Sequence, residues 1–390
     1  MLVSNGRVLE LNLGDVHGWF VADCFVMGLC WGGIRIQSDV TRAEIELLAR
    51  CITLKSALAG IPIGGAKLGL VVDPDIIDKK YVIEKIVVGL WELLGYGRYI
   101  PGTDIGFTED DLRHLHSLVG KNARMTLHTG GGPLSPTGLA VAESLHASIE
   151  TLTSFEGIGD AETVVIEGFG NMGSAAAHVL NKRGYTIRAV SNKFYTLYSA
   201  EGLDIERLLL LKYTHGEYCL KKYAEEGYNS KLLPEHSISR IEADIFVPGT
   251  RPMTVSNRSP CRIIAPIANY PVSISKAVEL ERSGVKVIPD IISNAGGAIA
   301  SALVVLQRDF SKNLSIIAEM TRHNMFRVLE NSSRSGKTPL EVSYQMASNR
   351  ISILRRSGPL GLRKYLEQWA AVGGTNILKD LLKALKILTI

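Results

Sequence analysis

The sequence has few cysteines, little net charge and no long hydrophobic run, and each shortage excludes a class of protein. Its 390 residues carry 43 Lys and Arg against 39 Asp and Glu, so we predict neither nucleic acid nor a membrane surface as a partner. The five cysteines form no CxxC pair and no His stands at metal-ligand spacing, which predicts neither a disulfide framework nor a metal site. The most apolar early stretch, residues 20–34, contains Asp23, so we expect no signal peptide, no membrane span and a cytoplasmic protein.

What the sequence does have is the alternation of strands and helices that is typical of an α/β protein. β-branched and aromatic residues between glycine turns predict strands within residues 7–36. A capping-box pattern at Thr41 opens an amphipathic helix that we expect to end near Gly60, with Lys55 on the same face as Leu48. A lysine on an apolar stripe either extends to solvent or meets an anion, and the spacing leaves both open.

A glycine-rich turn follows a β-rich run in the middle of the chain. The strand predicted at 163–167 is followed by the turn Gly168-Phe-Gly170-Asn171-Met172-Gly173, and a helix and a second strand come next. This order is typical of a dinucleotide-binding βαβ unit, whose glycines permit a tight turn and bring a pyrophosphate to the N-terminus of the helix. The alternative is an ordinary glycine-rich turn. We predict that NAD or NADP binds at Gly168, Gly170, Asn171, Met172 and Gly173.

The end of the second strand bears on the choice of cofactor. A ribose-binding acid is usual there, but Asn192, 19 residues after Gly173, takes its place and Lys193 follows. An aspartate would bond the ribose 2′-hydroxyl and repel a 2′-phosphate, whereas a neutral asparagine beside an ammonium need not. The pair slightly favours NADP or dual use, unless Lys193 simply points to water.

Several ordered motifs occur together between about residues 28 and 356. They are GGIR (32–35), TLKSALAGIPIGGAKLG (53–69), PGTDIG (101–106), PTG (136–138), GFGNMG (168–173), IIAPIANYP (263–271) and VIPDIISNAGG (287–297). In these motifs the chain resembles the glutamate/leucine/phenylalanine/valine dehydrogenase family, which is glutamate dehydrogenase-like.

The resemblance implies an α/β fold of two domains. We expect an N-terminal α/β substrate-binding and oligomerisation domain at 1–137 and a Rossmann dinucleotide-binding domain at 138–319. C-terminal helices at about 320–390 would return to the first domain. The resemblance also implies a homo-oligomer, with a hexamer favoured.

The resemblance gives a role to each residue that matches a motif. Lys67 would be the catalytic lysine, Lys55 would bind the α-carboxylate of the substrate, and Asp104 would exchange a proton with the amino group. Residues expected near the cofactor are Thr137, Asn269 and Asn294.

The glycine-rich setting of Lys67 suits a catalytic base. In a poorly hydrated cleft and near Lys55, desolvation and like-charge repulsion would both lower the pKa of Lys67 towards neutrality. The implied reaction is oxidative deamination of an amino acid. Hydride passes from the substrate Cα to the nicotinamide, water activated by Lys67 adds to the iminium, and Asp104 helps to move protons as ammonia leaves a 2-oxo acid.

Trp31 is the clearest departure from the family pattern. Glutamate-specific members have a lysine at this position, before the Gly-Gly pair, and it holds the side-chain carboxylate; an indole cannot replace that charge. Ser301, seven residues after Asn294, instead matches a serine that helps to hold the distal carboxylate of glutamate. We give the lost charge more weight and expect a more apolar substrate than glutamate. Alternatively, Trp31 is plain core packing and another cation serves.

Two further functions remain open from the sequence. A non-catalytic paralogue acting as a regulatory or assembly subunit would fit Trp31, but not the combination of Lys55, Lys67 and Asp104. A hydroxy-acid oxidoreductase would need a His- or Arg-centred site in place of two lysines. An apolar stripe with interspersed lysines also predicts a terminal helix within 374–390, packed on a neighbouring subunit or on its own domain.

Overall fold

The computed structural model describes residues 3–75, 77–120, 134–255, 260–305 and 310–356. These residues form two compact units. The described residues of the first unit belong to Met1–Gly130, Ser301–Gln307 and Met346–Ile390, and those of the second to Gly131–Ala300 and Arg308–Gln345. Each unit contains a sheet with helices, which confirms the predicted two-domain α/β fold. The predicted terminal helix at 374–390 lies outside the described residues.

The first unit is built on a five-stranded mixed sheet. Its strands are β1 (Val3–Leu13), β2 (Val16–Val26), β3 (Cys30–Gln37), β4 (Gly64–Val71) and β5 (Tyr99–Gly102), in the order β1-β2-β4-β3-β5. β3 lies between β4 and β5 and runs parallel to both. Cys30, Ile34 and Leu68 enter one hydrophobic core, so the residues that alternate with them on β3 and β4 face the opposite side of the sheet.

Helix α1 covers that opposite face. The helices of the first unit are α1 (Arg42–Leu58), α2 (Lys79–Gly89), α3 (Trp91–Leu94) and α4 (Glu109–Val119). The Thr41 side chain accepts from the Glu44 backbone N–H at 3.3 Å, as predicted, but the Glu44 carboxylate pairs with an arginine on β3. The helix ends just before Gly60, whose φ of 70° stops it.

A helix over residues 339–356 joins the first unit through its last part. Arg350 donates to the backbone oxygens of Ala57 and Leu58, at the end of α1. Arg50 of α1 donates to Ser348 Oγ at 3.3 Å. Because the last carbonyl groups of a helix have no partner within it, the Arg350 guanidinium satisfies groups that would otherwise need water.

The second unit contains a seven-stranded sheet. Its strands are β6 (Thr163–Ile166), β7 (Thr186–Ser191), β8 (Tyr195–Tyr198), β9 (Lys231–Pro234), β10 (Ile245–Val247), β11 (Ile263–Ile264) and β12 (Lys286–Val287), in the order β12-β11-β10-β6-β7-β8-β9. The strands from β12 to β7 pair in parallel, and β8 pairs antiparallel with both β7 and β9. The order reverses between β10 and β6, and ligands of open α/β sheets bind at such a reversal, beyond the carboxyl ends of the strands.

The second unit contains helices between residues 136 and 335. They are α5 (Pro136–Glu156), α6 (Asn171–Lys182), α7 (Ile205–His215), α8 (Cys219–Glu225), α9 (Ile274–Arg282), α10 (Asp290–Ser293), α11 (Gly296–Val305, which continues into the first unit) and α12 (Phe310–Ser335). The domain limits at 137 and about 320 remain predictions. α12 belongs to the second unit, where it packs along α5, and after α12 the chain returns to the first unit at Met346.

The described residues show neither a membrane-spanning helix nor a metal-binding cluster. Among the helices in the described ranges, none combines the length and apolarity that a bilayer crossing requires. The described part of the chain also contains no group of three or more His, Cys, Asp or Glu side chains arranged to hold a metal ion. None of the five cysteines, all of which lie in the described ranges, forms a disulfide, and four of them are buried.

Candidate active site

Lys67, on β4, reaches a carboxylate rather than solvent. Its Nζ lies 2.6 Å from Asp104 Oδ2, and only 5% of the residue is exposed. Burial lowers the pKa of the Lys67 ammonium and outweighs the opposing effect of the Asp104 charge. The structure therefore brings together the predicted catalytic lysine and the predicted proton-exchanging carboxylate.

Arg35, on β3, is a third charged member of this cluster that the sequence analysis did not single out. Its Nε donates to Asp104 Oδ2 at 2.9 Å, and its other end donates to Glu44 of α1. Burial is the largest cause that lowers the pKa of Lys67, and the Arg35 charge adds to it. The sequence analysis assigned such a repulsion to Lys55, which stays a prediction, and the structure adds Arg35 as a cation in direct contact with Asp104.

A sequence signal for Arg35 existed in the GGIR stretch. The arginine alternates with Ile34 and Ile36, which are both fully buried on β3. A strand between two covered faces buries any side chain on it, and a buried guanidinium needs acidic partners. Arg35 is 5% exposed and has two such partners, Asp104 and Glu44.

Asp104 follows β5 and is held in its ionised form. Burial by itself raises the pKa of a carboxyl group, but the charges of Lys67 and Arg35 outweigh it and lower the pKa of Asp104 to about 2. Both cations also donate to Oδ2. At neutral pH the carboxylate therefore fixes the position of the Lys67 ammonium.

Gly33 explains why this lysine stands among glycines. A Cβ on Gly33 would lie 2.6 Å from Thr103 O, 3.0 Å from Asp104 Cβ and 3.2 Å from Lys67 Nζ. The first contact is too short for any side chain, and the other two fall on Asp104 and Lys67. Glycine on β3 is thus required for the close approach of Lys67 and Asp104.

Trp31 shares the face of β3 that carries Arg35. Its indole Nε1 donates to Ser56 Oγ on α1 at 2.9 Å, and 8% of the residue is exposed. Lys55, the neighbour of Ser56 in the chain, and Ser301 on α11 are both half-buried. The roles of Trp31, Lys55 and Ser301 in substrate binding remain predictions.

The predicted nucleotide motif lies between β6 and α6, at the reversal of strand order. Gly168 has a φ of 87°, which favours glycine, and a Cβ on Gly170 would meet no atom within 4 Å. Gly170 is the N-cap of α6 and brings no side chain to the N–H groups of the first turn. These groups fit a pyrophosphate, because the helix N-terminus attracts anions and the surface above Gly170 is open.

Asn294 is a second place in this unit where the structure fits a bound cofactor. Its Nδ2 donates to Ala268 O at 2.8 Å and lies 3.3 Å from Asn269 Oδ1. Since these neighbours are acceptors, Oδ1 must point away from them, and among the described residues it has no hydrogen-bond partner although it is buried. A buried acceptor without a donor suits an amide such as that of nicotinamide.

Thr137 and the Gly168–Gly173 turn lie beside this segment. A Cβ on Gly297 would lie 3.1 Å from Thr137 Cγ2, and one on Gly138 would lie 3.1 Å from Asn171 O. The start of α5 thus contacts both the turn before α6 and the segment that follows Asn294. The second unit therefore gathers the residues predicted to bind the cofactor on these three segments.

Asp290 is another residue that the sequence analysis did not assign. It is buried, accepts from the Tyr270 backbone N–H at 2.7 Å and from Tyr344 Oη at 3.2 Å. Tyr270 has a φ of 52°, which is strained for a residue with a side chain. Asp290 therefore stabilises the turn that carries Asn269.

Asn192 and Lys193 are engaged in the turn between β7 and β8. Asn192 Oδ1 accepts from the backbone N–H groups of Phe194 and Tyr195, both at 3.0 Å, and Nδ2 donates to Glu217 O at 2.6 Å. Lys193 Nζ lies 5.0 Å from the centre of the Phe194 ring. Their predicted role at the cofactor stays a prediction.

One unit thus carries a dinucleotide motif on a parallel sheet, and the other carries a buried lysine paired with a carboxylate, features that define the class of nicotinamide-dependent dehydrogenases. Comparison with known proteins agrees. Residues 134–355 match the model of the Glutamate/Leucine/Phenylalanine/Valine dehydrogenase family, and residues 12–120 match the Glu/Leu/Phe/Val dehydrogenase dimerisation domain. The chain therefore belongs to this family, as the motifs predicted.

Individual proteins are similar to this chain in sequence or in fold. The glutamate dehydrogenase of Aeropyrum pernix is 30% identical over 77% of this chain and 76% of its own length. The hetero-hexameric glutamate dehydrogenase of Thermus thermophilus, in a Leu-bound form, has a TM-score of 0.74 at 21% identity and covers 94% of this chain and 88% of that one. The L-tryptophan dehydrogenase of Nostoc punctiforme has a TM-score of 0.61 at 19% identity, over 91% and 97%.

The relatives also bear on the cofactor. An NADP-specific glutamate dehydrogenase from Synechocystis is 26% identical over 69% of this chain and 67% of its own length, and an NAD-specific one from Halobacterium salinarum is 27% identical over 72% and 67%. As a member of this family the protein is an amino-acid dehydrogenase and so an oxidoreductase, and this prediction is confirmed. The names of the relatives agree with the predicted use of NAD or NADP.

Proposed function

We propose that this chain catalyses the NAD(P)-dependent oxidative deamination of an L-amino acid with a more apolar side chain than glutamate, giving a 2-oxo acid and ammonia. The observation that carries the proposal is the buried Lys67–Asp104 pair with Arg35 beside it. A bound nicotinamide supplies the hydride acceptor. The chain's own residues then have to hold the substrate, keep bulk water away from the substrate Cα and move protons.

Lys67 serves as the base in this proposal. Burial and the Arg35 charge lower its pKa, so a larger fraction of it is neutral near physiological pH than of an exposed lysine. The neutral amine takes a proton from the attacking water, and Asp104, within 2.6 Å, passes protons to and from the amino group. Lys55 binds the α-carboxylate and so orients Cα, an effect that can supply several kcal/mol.

Trp31 supports an apolar substrate. Its indole N–H is already used by Ser56, so only the apolar ring remains available at the position before Gly32-Gly33. The cations described on that face of β3 and β4, Arg35 and Lys67, both pair with carboxylates. A distal carboxylate on the substrate would therefore lack a charge-assisted partner at Trp31 and would lose its hydration.

Glutamate is the second candidate substrate. The Aeropyrum pernix relative is named a glutamate dehydrogenase, and Ser301 matches the serine expected to hold the distal carboxylate. If glutamate is the substrate, another cation must replace the one that Trp31 lacks. A comparison of substrates distinguishes the two candidates directly.

We further propose that the protein is a homo-oligomer, with a hexamer favoured, and that it works in the cytoplasm. A family model for a dimerisation domain matches residues 12–120, and the Thermus thermophilus protein is described as hetero-hexameric. Light scattering of the purified protein gives its mass. A monomer at micromolar concentration would contradict the proposal.

The experiment that tests the function follows the absorbance of the reduced nicotinamide. Purified protein is mixed with a panel of L-amino acids and with NAD or NADP, beside the Lys67→Ala variant. Turnover with leucine, valine, phenylalanine or tryptophan but not with glutamate, abolished in the variant, is the expected result. Turnover with glutamate would keep the chemistry but reject the role of Trp31. Cofactor binding without any turnover would instead favour a non-catalytic subunit.

A further inference from the structure

Glu217 lies beside the position where a ribose-binding acid is usual. It belongs to the short turn Gly216–Tyr218 after α7, and its backbone oxygen accepts from Asn192 Nδ2 at 2.6 Å. The Asn192 oxygen already accepts two backbone N–H groups, which uses both of its lone pairs. Asn192 thus shapes the turn after β7 and brings Glu217 next to it.

Lys212, on α7, connects Glu217 to the glycine turn. Its Nζ donates to the Phe169 backbone oxygen, between Gly168 and Gly170, and lies 3.8 Å from Glu217 Oε1. The lysine side chain is 10% exposed, whereas that of Glu217 is 44% exposed. Because the ion pair is longer than a hydrogen bond, the Glu217 carboxylate keeps its capacity to accept from a ligand.

Lys193, the residue that favoured NADP in the sequence, is directed to an aromatic surface instead. Its Nζ lies 5.0 Å from the centre of the Phe194 ring, and Phe194 stacks on Tyr218 with ring centres 5.7 Å apart. The buried cation at the glycine turn is therefore Lys212, and its counter-ion is Glu217.

We propose that Glu217 supplies the carboxylate that the end of β7 lacks, and that the Lys212–Glu217 pair sets the choice between the two cofactors in favour of NAD. The Glu217 carboxylate accepts from a ribose hydroxyl and repels a 2′-phosphate, while Lys212 holds it beside the glycine turn. The inference rests on the use of a nicotinamide cofactor in the proposed function. It reverses the slight preference for NADP that Asn192 and Lys193 suggested.

The test measures binding of two cofactor fragments to the full chain by isothermal titration calorimetry. The probes are 5′-AMP and 2′,5′-ADP, which differ only in the 2′-phosphate. We expect Glu217→Gln to tighten 2′,5′-ADP about tenfold, because a like charge is removed and Lys212 loses its counter-ion. Binding of 5′-AMP should not tighten. Adding Lys212→Gln to this variant should reduce the gain, because the ammonium that lost its counter-ion is then no longer present to attract the phosphate.

Lys222 and Glu225 provide matched controls. They form an exposed lysine–acid pair on α8 at 2.8 Å, in the same unit. Neither Lys222→Gln nor Glu225→Gln should change the ratio of the two dissociation constants. The proposal is overturned if Glu217→Gln leaves that ratio where Glu225→Gln leaves it, or if adding Lys212→Gln leaves the gain for 2′,5′-ADP undiminished.

The fragments also separate this inference from the proposed function. Neither probe carries a nicotinamide, so their binding does not depend on whether the enzyme deaminates any amino acid. Absent turnover together with the expected shift in binding would count against the proposed function alone. Turnover with an unchanged binding ratio would overturn only the role of Glu217.

Discussion

The ammonium of Lys67 and the carboxylate of Asp104 lie 2.6 Å apart, and only 5% of Lys67 is exposed to solvent. Such a pair is costly to bury, and it persists because Arg35 gives the carboxylate a second donor. The same second donor keeps Asp104 from fully neutralising the Lys67 charge. The pair is thus poised to release a proton from lysine while the carboxylate stays ionised.

Because of Asp104, we expect the free energy of unfolding of the protein to decrease at acidic pH. Its pKa is lowered to about 2 in the folded state, so its contribution is present above the unfolded value of about 3.9 and is lost as the pH falls towards 2. The shift corresponds to about 2 kcal/mol. We expect the difference in free energy of unfolding between the wild type and Asp104→Asn, measured by urea denaturation at fixed protein concentration, to narrow by about that amount between pH 5 and pH 2.

The exposed Asp110 provides the control for this series. It pairs with Arg113 on the surface of α4, so Asp110→Asn should show no comparable change with pH. If the Asp104→Asn difference is the same at pH 5 and pH 2, the carboxylate is not held in its ionised form by Lys67 and Arg35.

Arg35 and Glu44 should shift the pH profile of the reaction in opposite directions. Arg35 lowers the pKa of Lys67 and Glu44 raises it. We therefore expect Arg35→Gln to move the acidic limb of the kcat/KM profile to higher pH and Glu44→Gln to move it to lower pH. The measurement is the initial rate of deamination from pH 6 to pH 11.

Arg42 and Glu46 are suitable controls for this pair. They form an exposed ion pair at 2.7 Å on α1, the helix that carries Glu44. Neutralising either residue should leave the acidic limb of the kcat/KM profile at the same pH. A loss of activity in Arg35→Gln without any movement of the limb would show that Arg35 only supports the fold.

Gly33 should not tolerate even a methyl group. The Cβ of Gly33→Ala would press on Thr103 O and on the Lys67–Asp104 pair, and a displacement of about 1 Å at reacting groups can cost about 100-fold in rate. We expect kcat to fall by about that factor while binding of cofactor fragments is kept. Gly102→Ala is the matched control on the neighbouring strand, because its Cβ would meet nothing closer than 3.9 Å. Equal kcat values for the two variants would refute the requirement for glycine at residue 33.

The sequence located Lys67 and Asp104, since each lies in a motif whose residues are contiguous. It missed Arg35 because an arginine on a strand is usually exposed, and only the cover of α1 over that face makes it buried. Glu44 was interpreted as the second half of a capping box, but tertiary contact with Arg35 takes its carboxylate. Rules based on neighbouring residues in the sequence failed at Arg35 and Glu44, because each has its charged partner on a different strand or helix.

The nucleotide-binding unit shows the same limit. The glycine turn between β6 and α6 was predictable, because its strand, turn and helix are consecutive in the chain. Asn192 was placed at the usual position of the ribose-binding acid from its distance to Gly173. Its amide bonds the turn that follows it and Glu217, which lies 25 residues further on. No local spacing rule connects those two residues.

Trp31 decides the remaining question of substrate class. We expect Trp31→Lys to gain turnover of glutamate relative to leucine by at least about tenfold, because an ammonium at that position offers a distal carboxylate a charge-assisted hydrogen bond. Trp31→Phe loses the hydrogen bond to Ser56 but keeps an apolar ring, so it should retain the original preference. The measurement is the ratio of kcat/KM for the two amino acids, which is insensitive to the fraction of folded enzyme. If Trp31→Phe and Trp31→Lys change that ratio equally, the indole serves packing alone, and other residues bind the distal carboxylate of the substrate.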